Sequence, residues 1–109
     1  MSTALEKLFE KTKQEKRAAL IGYLPAGYPD QKSSAKIIKA MIDGGVDAIE
    51  IGFPYSDPVA DGPVIQASSK QSLDQGMTLQ VLFDQLKDLR KTITIPILLM
   101  GYVNPVLQY

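Results

Sequence analysis

Three short apolar runs, separated by segments of helical periodicity, restrict this chain to few architectures. The runs are Ala18 to Leu24, Val46 to Gly52 and Ile93 to Tyr102. Strands covered on both faces are nearly continuous in apolar residues, as Ile95 to Met100 is, and such strands belong to parallel sheets whose crossovers are helices. The order strand, helix, strand, helix, strand therefore predicts an α/β chain of βαβ units. A closed barrel and an open doubly wound sheet use the same local units, so periodicity alone does not choose between them.

Local chemistry marks the helices. Thr3-Ala4-Leu5-Glu6 matches a capping box ahead of Leu5, Leu8 and Phe9, which share one helical face, so a short amphipathic helix is expected to open the chain and lie over its neighbours. Asp30 is placed to cap a second helix with Ala35, Ile38, Met41 and Ile42 as its buried stripe, stopped at Gly44-Gly45. Pro63 suits the first turn of a helix over Val64 to Gln75, where a missing N–H costs nothing, and Gly76 ends it. Thr78 caps a further helix with Leu79, Leu82, Phe83, Leu86 and Leu89 on one side. Lys87, Arg90 and Lys91 lie at its end, where cations suit the dipole. Asn104-Pro105 reads as a turn after the third strand.

Composition excludes several functions. Lys+Arg and Asp+Glu each number 12 in 109 residues, so no net charge draws the chain to nucleic acid or to an anionic membrane. There is no Cys and no His, which removes a disulfide framework and the usual ligands of zinc or iron. No segment reaches the roughly 18 apolar residues of a membrane span, and Met1 to Lys16 has no apolar signal-peptide core, so a cytoplasmic location is expected.

Glu50 stands out in Asp47-Ala48-Ile49-Glu50-Ile51-Gly52, near the carboxyl end of an otherwise apolar strand. By the period of two, Ala48, Glu50 and Gly52 share one face and the isoleucines take the other. A carboxylate there is costly to desolvate unless paired, and a shielded one is suited to proton transfer. A plain ion pair with Arg or Lys would account for it equally. Asp57 and Asp61 follow in a loop stiffened by Pro54, Pro58 and Pro63, which can hold a second carboxylate near Glu50. Turn or helix-cap duty is the alternative for both. Tyr23, Met100 and Tyr102, near strand ends, can line an apolar ligand pocket or belong to the core. Gly22, Gly27, Gly52 and Gly101 are scattered singly, and no phosphate-binding glycine motif follows any strand.

Ala48-Ile49-Glu50-Ile51-Gly52-Phe53-Pro54-Tyr55-Ser56-Asp57-Pro58-Val59-Ala60-Asp61-Gly62-Pro63-Val64-Ile65-Gln66 resembles the signature stretch of tryptophan synthase alpha subunits. Gly22-Tyr23-Leu24-Pro25-Ala26-Gly27-Tyr28-Pro29 and Ile95-Pro96-Ile97-Leu98-Leu99-Met100-Gly101-Tyr102-Val103-Asn104-Pro105 resemble the same family in the expected order. The resemblance implies a (β/α)8 TIM barrel, of which residues 1–109 would be the N-terminal part of a single, incomplete domain holding about the first three βα strands. It implies a lyase of tryptophan biosynthesis, performing retro-aldol cleavage of indole-3-glycerol phosphate to indole and glyceraldehyde 3-phosphate, with no metal and no organic cofactor. Glu50 matches the family's strand-2 acid/base and Asp61 its loop carboxylate on the indole N–H. Tyr23, Met100 and Tyr102 match its substrate pocket. Pro54 and Asp57 match positions facing the beta subunit, in an alpha2beta2 heterotetramer.

A closed barrel of this kind needs roughly 250 residues and holds phosphate in loops after its seventh and eighth strands. The chain alone is therefore expected to lack lyase activity, and its uncovered strand edges and apolar faces should make it self-associate, bind its missing half or be poorly ordered. Two other functions remain open on residues alone: another barrel enzyme with a phosphorylated ligand, or a non-catalytic fragment that binds a partner.

Overall fold

The fold was described from a computed structural model, in which residues 3–56 and 59–108 are placed. The elements, in chain order, are α1 (Ala4–Gln14), β1 (Ile21–Pro25), α2 (Gln31–Asp43), β2 (Ala48–Gly52), α3 (Pro63–Asp74), α4 (Leu79–Arg90), β3 (Ile97–Met100) and α5 (Val103–Gln108). The three strands form one parallel sheet in the order β1-β2-β3, so β2 is central.

The helix starts follow the capping chemistry. Thr3 Oγ1 accepts from the Glu6 N–H at 3.1 Å while the Glu6 carboxylate accepts from the Thr3 N–H at 3.2 Å. Asp30 accepts from the Ser33 N–H at 2.8 Å, and Thr78 Oγ1 from the Val81 N–H at 3.2 Å. Pro63 is the first residue of α3. Phe9 departs from expectation: Leu8 is buried in α1, but half of Phe9 remains exposed. Asn104-Pro105 also differs, lying within α5 rather than in a turn. Val103, Asn104 and Pro105 form the first turn of that helix, where an N–H has no intrahelical partner, so proline is accommodated.

The outer strands are shorter than their apolar runs. β1 begins at Ile21 because pairing with β2 begins there, Ile21 opposite Ala48. Just before it, the Asp47 N–H donates to the Leu20 carbonyl at 2.8 Å, and the Asp47 carboxylate accepts from the Leu20 N–H at 2.8 Å. β3 ends at Met100, and Gly101 and Tyr102 turn the chain into α5.

The core lies between the sheet and α2 and α4. Ile49 and Ile51 are fully buried there with Leu24, Ile38, Leu82, Leu89 and Ile93. Burying each isoleucine contributes about 1.5–3 kcal/mol. A buried hydrogen bond from the Ser72 hydroxyl to the Ala26 carbonyl fastens α3 to the end of β1. Among the described residues no helix is long and apolar enough to cross a membrane.

Asp47 also joins the α1–β1 connection to β2. Arg17 donates to both Asp47 oxygens, at 2.8 and 2.9 Å. The guanidinium first, and the Leu20 N–H second, lower the Asp47 carboxyl to about 2. A depressed carboxyl stabilises the fold above its unfolded value, near ~3.9, and that contribution disappears as pH falls through the folded value. Asp47→Asn should therefore reduce stability above about pH 4, with the difference from the parent closing towards about pH 2. Urea denaturation across this range checks it. A gap unchanged with pH would contradict it.

Leu20 and Ile21 at one side of the sheet, Leu99 and Met100 at the other, and Val103, Val106 and Leu107 of α5 are all exposed. Such strand edges and apolar faces favour association. Size-exclusion chromatography of the chain should show species larger than a monomer, and a compact, stable monomer would contradict this.

Candidate active site

Glu50 occupies the middle of β2, with Tyr23 of β1 opposite it on one side and Leu98 of β3 on the other. Partners across parallel strands share a face, so this row points away from the layer holding Ile49 and Ile51. Glu50 is half-buried. Neither a hydrogen bond nor an ion pair joins its carboxylate to the described residues. Arg17, the ion-paired arginine, is engaged by Glu15 and Asp47 instead. Among the described residues the ion-pair alternative for Glu50 is not realised.

One residue pair further along the same face, Gly52 lies opposite Met100 and Pro25. Gly52 has no side chain because the Tyr23 ring and hydroxyl occupy the space where a Cβ would go. Gly101 makes similar room for the Phe53 ring. These close approaches, rather than backbone angles or a phosphate cradle, explain the two glycines.

Asp61 reaches the same region from the loop after β2. Tyr23, Asp61, Met100 and Tyr102 line one cleft of about 180 Å³, together with Phe53, Tyr55, Ala60, Ser69 and Gly101. Asp61 is not the cap of α3: Gly62 takes that position and no side chain caps it. The Asp61 backbone carbonyl accepts from Gln66 Nε2 at 2.7 Å, which holds the residue against the first turn of α3. The Ala60 N–H donates to the Tyr102 hydroxyl at 2.7 Å, and the Tyr55 and Tyr102 rings lie 5.3 Å apart. The acidic loop is therefore tied both to the chain beyond β3 and to α3.

Tyr23 connects the two carboxylates electrostatically. Burial first, then the negative charges of Asp61 and Glu50, push its hydroxyl above the usual tyrosine range. Pro54 is in a separate groove with Phe53, Tyr55, Thr78 and Pro105, between the loop after β2 and α5. Asp57 lies outside the described residues. Leu98, Phe53, Tyr55 and Ser69 belong to the site region but drew no attention in the sequence. Gly101 is a sequence signal for Phe53 alone, since a bare position at a strand end marks where a ring can lie. Among the described residues no group of three or more His, Cys, Asp or Glu is placed to hold a metal.

A sequence model of the family described as tryptophan synthase alpha chain matches residues 9–109. The chain belongs to the tryptophan synthase alpha family. The tryptophan synthase alpha chain of Flavobacterium johnsoniae is 50% identical over 105 residues, which cover 96% of this chain and 41% of that one. The tryptophan synthase of Saccharomyces cerevisiae is 46% identical over 110 residues, covering 100% of this chain and 16% of that protein. The crystal structure of tryptophan synthase subunit alpha from Legionella pneumophila superposes with a TM-score of 0.95 at 34% identity, over 100% of this chain and 42% of that one. The three parallel strands and their helices are thus the first βα units of the family's (β/α)8 barrel. The chain spans about two fifths of the length of these alpha-chain relatives.

Removing only the hydroxyl of Tyr102 should loosen the acidic loop. Tyr102→Phe is expected to cost about 1 kcal/mol, the scale of one neutral hydrogen bond, read as faster amide exchange at Ala60 with exchange in β2 unchanged. Equal exchange at Ala60 in both proteins would refute the tie.

Proposed function

We propose that residues 1–109 form the N-terminal part of a single (β/α)8 domain that cleaves indole-3-glycerol phosphate to indole and glyceraldehyde 3-phosphate in tryptophan biosynthesis. The observation that carries this reading is a carboxylate, Glu50, with no hydrogen-bond or ion-pair partner among the described residues, on the open face of the central strand and flanked by a tyrosine that also feels Asp61. A retro-aldol cleavage needs a proton delivered to the indole ring carbon bearing the glycerol chain and a proton removed from the adjacent hydroxyl. The carbon–carbon bond then breaks, its electron pair returns to the ring, and the hydroxyl-bearing carbon leaves as the aldehyde. Glu50 is the group that shuttles these protons. Asp61 accepts the indole N–H and offsets positive charge on the ring while it is protonated. Tyr23, Met100 and Tyr102 flank the bicyclic ring with apolar surface.

No metal or organic cofactor takes part in this scheme. The enzyme is a cytoplasmic lyase working in an alpha2beta2 heterotetramer. Pro54 and Asp57 are the residues assigned to the beta-subunit contact by family resemblance, and the groove holding Pro54 beside α5 gives that contact a concave surface. Phosphate is bound by loops later in the barrel.

The test compares this chain alone with a barrel completed by the remaining three fifths of the Flavobacterium johnsoniae relative. The chain alone should release no indole above a Glu50→Gln control. The completed barrel should release indole, and Glu50→Gln should lower kcat about 10²- to 10⁴-fold. A completed barrel that folds and binds indole-propanol phosphate, yet turns over equally well with Glu50→Gln, would overturn the assignment of Glu50.

A further inference from the structure

Tyr23 is held more specifically than an apolar wall requires. Its partner in the sheet is Glu50, yet its ring leans along the strand direction onto Gly52, where a Cβ would collide with both the ring and the hydroxyl. The phenol oxygen is thereby carried to the carboxyl end of the sheet, into the cleft that Asp61 also lines. An ordinary hydrophobic contact would be met by phenylalanine. The raised hydroxyl, with Asp61 the stronger of its two charged influences, agrees with a phenol lying within the field of that carboxylate. The titratable groups around Tyr23 are Glu50 from β2, Asp61, Tyr55 and Tyr102 in the cleft, and Tyr28 in the adjoining groove against α3. Among these described groups there is no cation, so the donors the cleft offers a carboxylate are hydroxyls, and that of Tyr23 is the one within the field of both Asp61 and Glu50.

We propose that Tyr23 is a positioning residue for Asp61: when a ligand fills the cleft, the hydroxyl seated over Gly52 donates a hydrogen bond to the Asp61 carboxylate and aims its other oxygen at the ligand's N–H. The two side chains line one cleft with no hydrogen bond between them in the structure, and the proposed contact belongs to the ligand-filled cleft. Tyr102 then secures the backbone of the acidic loop at Ala60, and Tyr23 secures its carboxylate. The nature of the ligand rests on the lyase reading, whereas the pairing of phenol and carboxylate does not.

Two measurements decide it. In the completed barrel, calorimetric binding of indole-propanol phosphate is compared for the parent, Tyr23→Phe, Asp61→Asn and the double variant. Tyr23→Phe should weaken binding roughly tenfold in the parent, the scale of one hydrogen bond to a charged group, and should change little in the Asp61→Asn background. Equal weakening in both backgrounds, or none in either, would overturn the proposal. In this chain itself, the tyrosinate absorbance titration of the parent minus that of Tyr23→Phe isolates Tyr23. Its midpoint should lie above the ordinary tyrosine value and fall with Asp61→Asn. An ordinary midpoint indifferent to Asp61→Asn would also overturn it. If the parent barrel binds no indole-propanol phosphate, the lyase reading fails, and the titration alone judges the pairing.

Discussion

The structure depends on the burial of β2. It is the middle strand of three, and Ile49 and Ile51 are sealed between the sheet and α2 and α4. Side chains along a strand alternate between faces, so a one-residue slip would exchange the two sets completely. Such a slip would drive Glu50 into the packed layer and bring both isoleucines out of it. Neither is affordable in a core of this size. The isoleucines thus fix where Glu50 points from within the core on the opposite face.

The same register arranges the rest of the site. Tyr23 and Leu98 must flank Glu50, because parallel pairing places them opposite it. Gly52 must follow on the same face, and its missing side chain admits the Tyr23 ring. The acidic loop begins where β2 ends, runs to Pro63, and is anchored through Ala60 to Tyr102 and through the Asp61 carbonyl to Gln66. A buried strand, a bare position and a tethered loop are sufficient to set Glu50 on the open face of the sheet and Asp61 in an aromatic cleft, with Tyr23 under the influence of both.

Much of this could be read from the amino-acid order, because the governing interactions are local. Thr3, Asp30 and Thr78 announce helix starts through bonds spanning a few residues and Pro63 through its missing N–H, and each occupies that role. The α/β rhythm and the facing of Glu50 follow from periods of 3.6 and 2. Strand lengths were less legible: the apolar character of Ala18 to Leu20 does not reveal that their neighbours across the sheet start only at Ala48. Pro105 was misleading for a different reason. Proline breaks a helix interior but is tolerated in a first turn, and the sequence does not say which of the two it enters. The choice between Asp61 as a helix cap and as a cleft residue was also beyond local pattern, since it turns on Gly62 taking the cap. The lining by Phe53, Tyr55 and Ser69 depends on contacts between distant segments. Choosing a barrel over an open sheet was beyond periodicity; it came from the resemblance of three long segments to one family, and the solved structures bear it out.

The central claim is that Glu50 and Asp61 serve one ligand from one face of the sheet. A crystal structure of the completed barrel with indole-propanol phosphate tests it most directly. The account predicts the indole N–H within hydrogen-bond distance of Asp61, and the Glu50 carboxylate against the opposite edge of the same ring. Density showing Glu50 turned into the helix layer or paired with a lysine, with the ligand touching only one of the two acids, would contradict it.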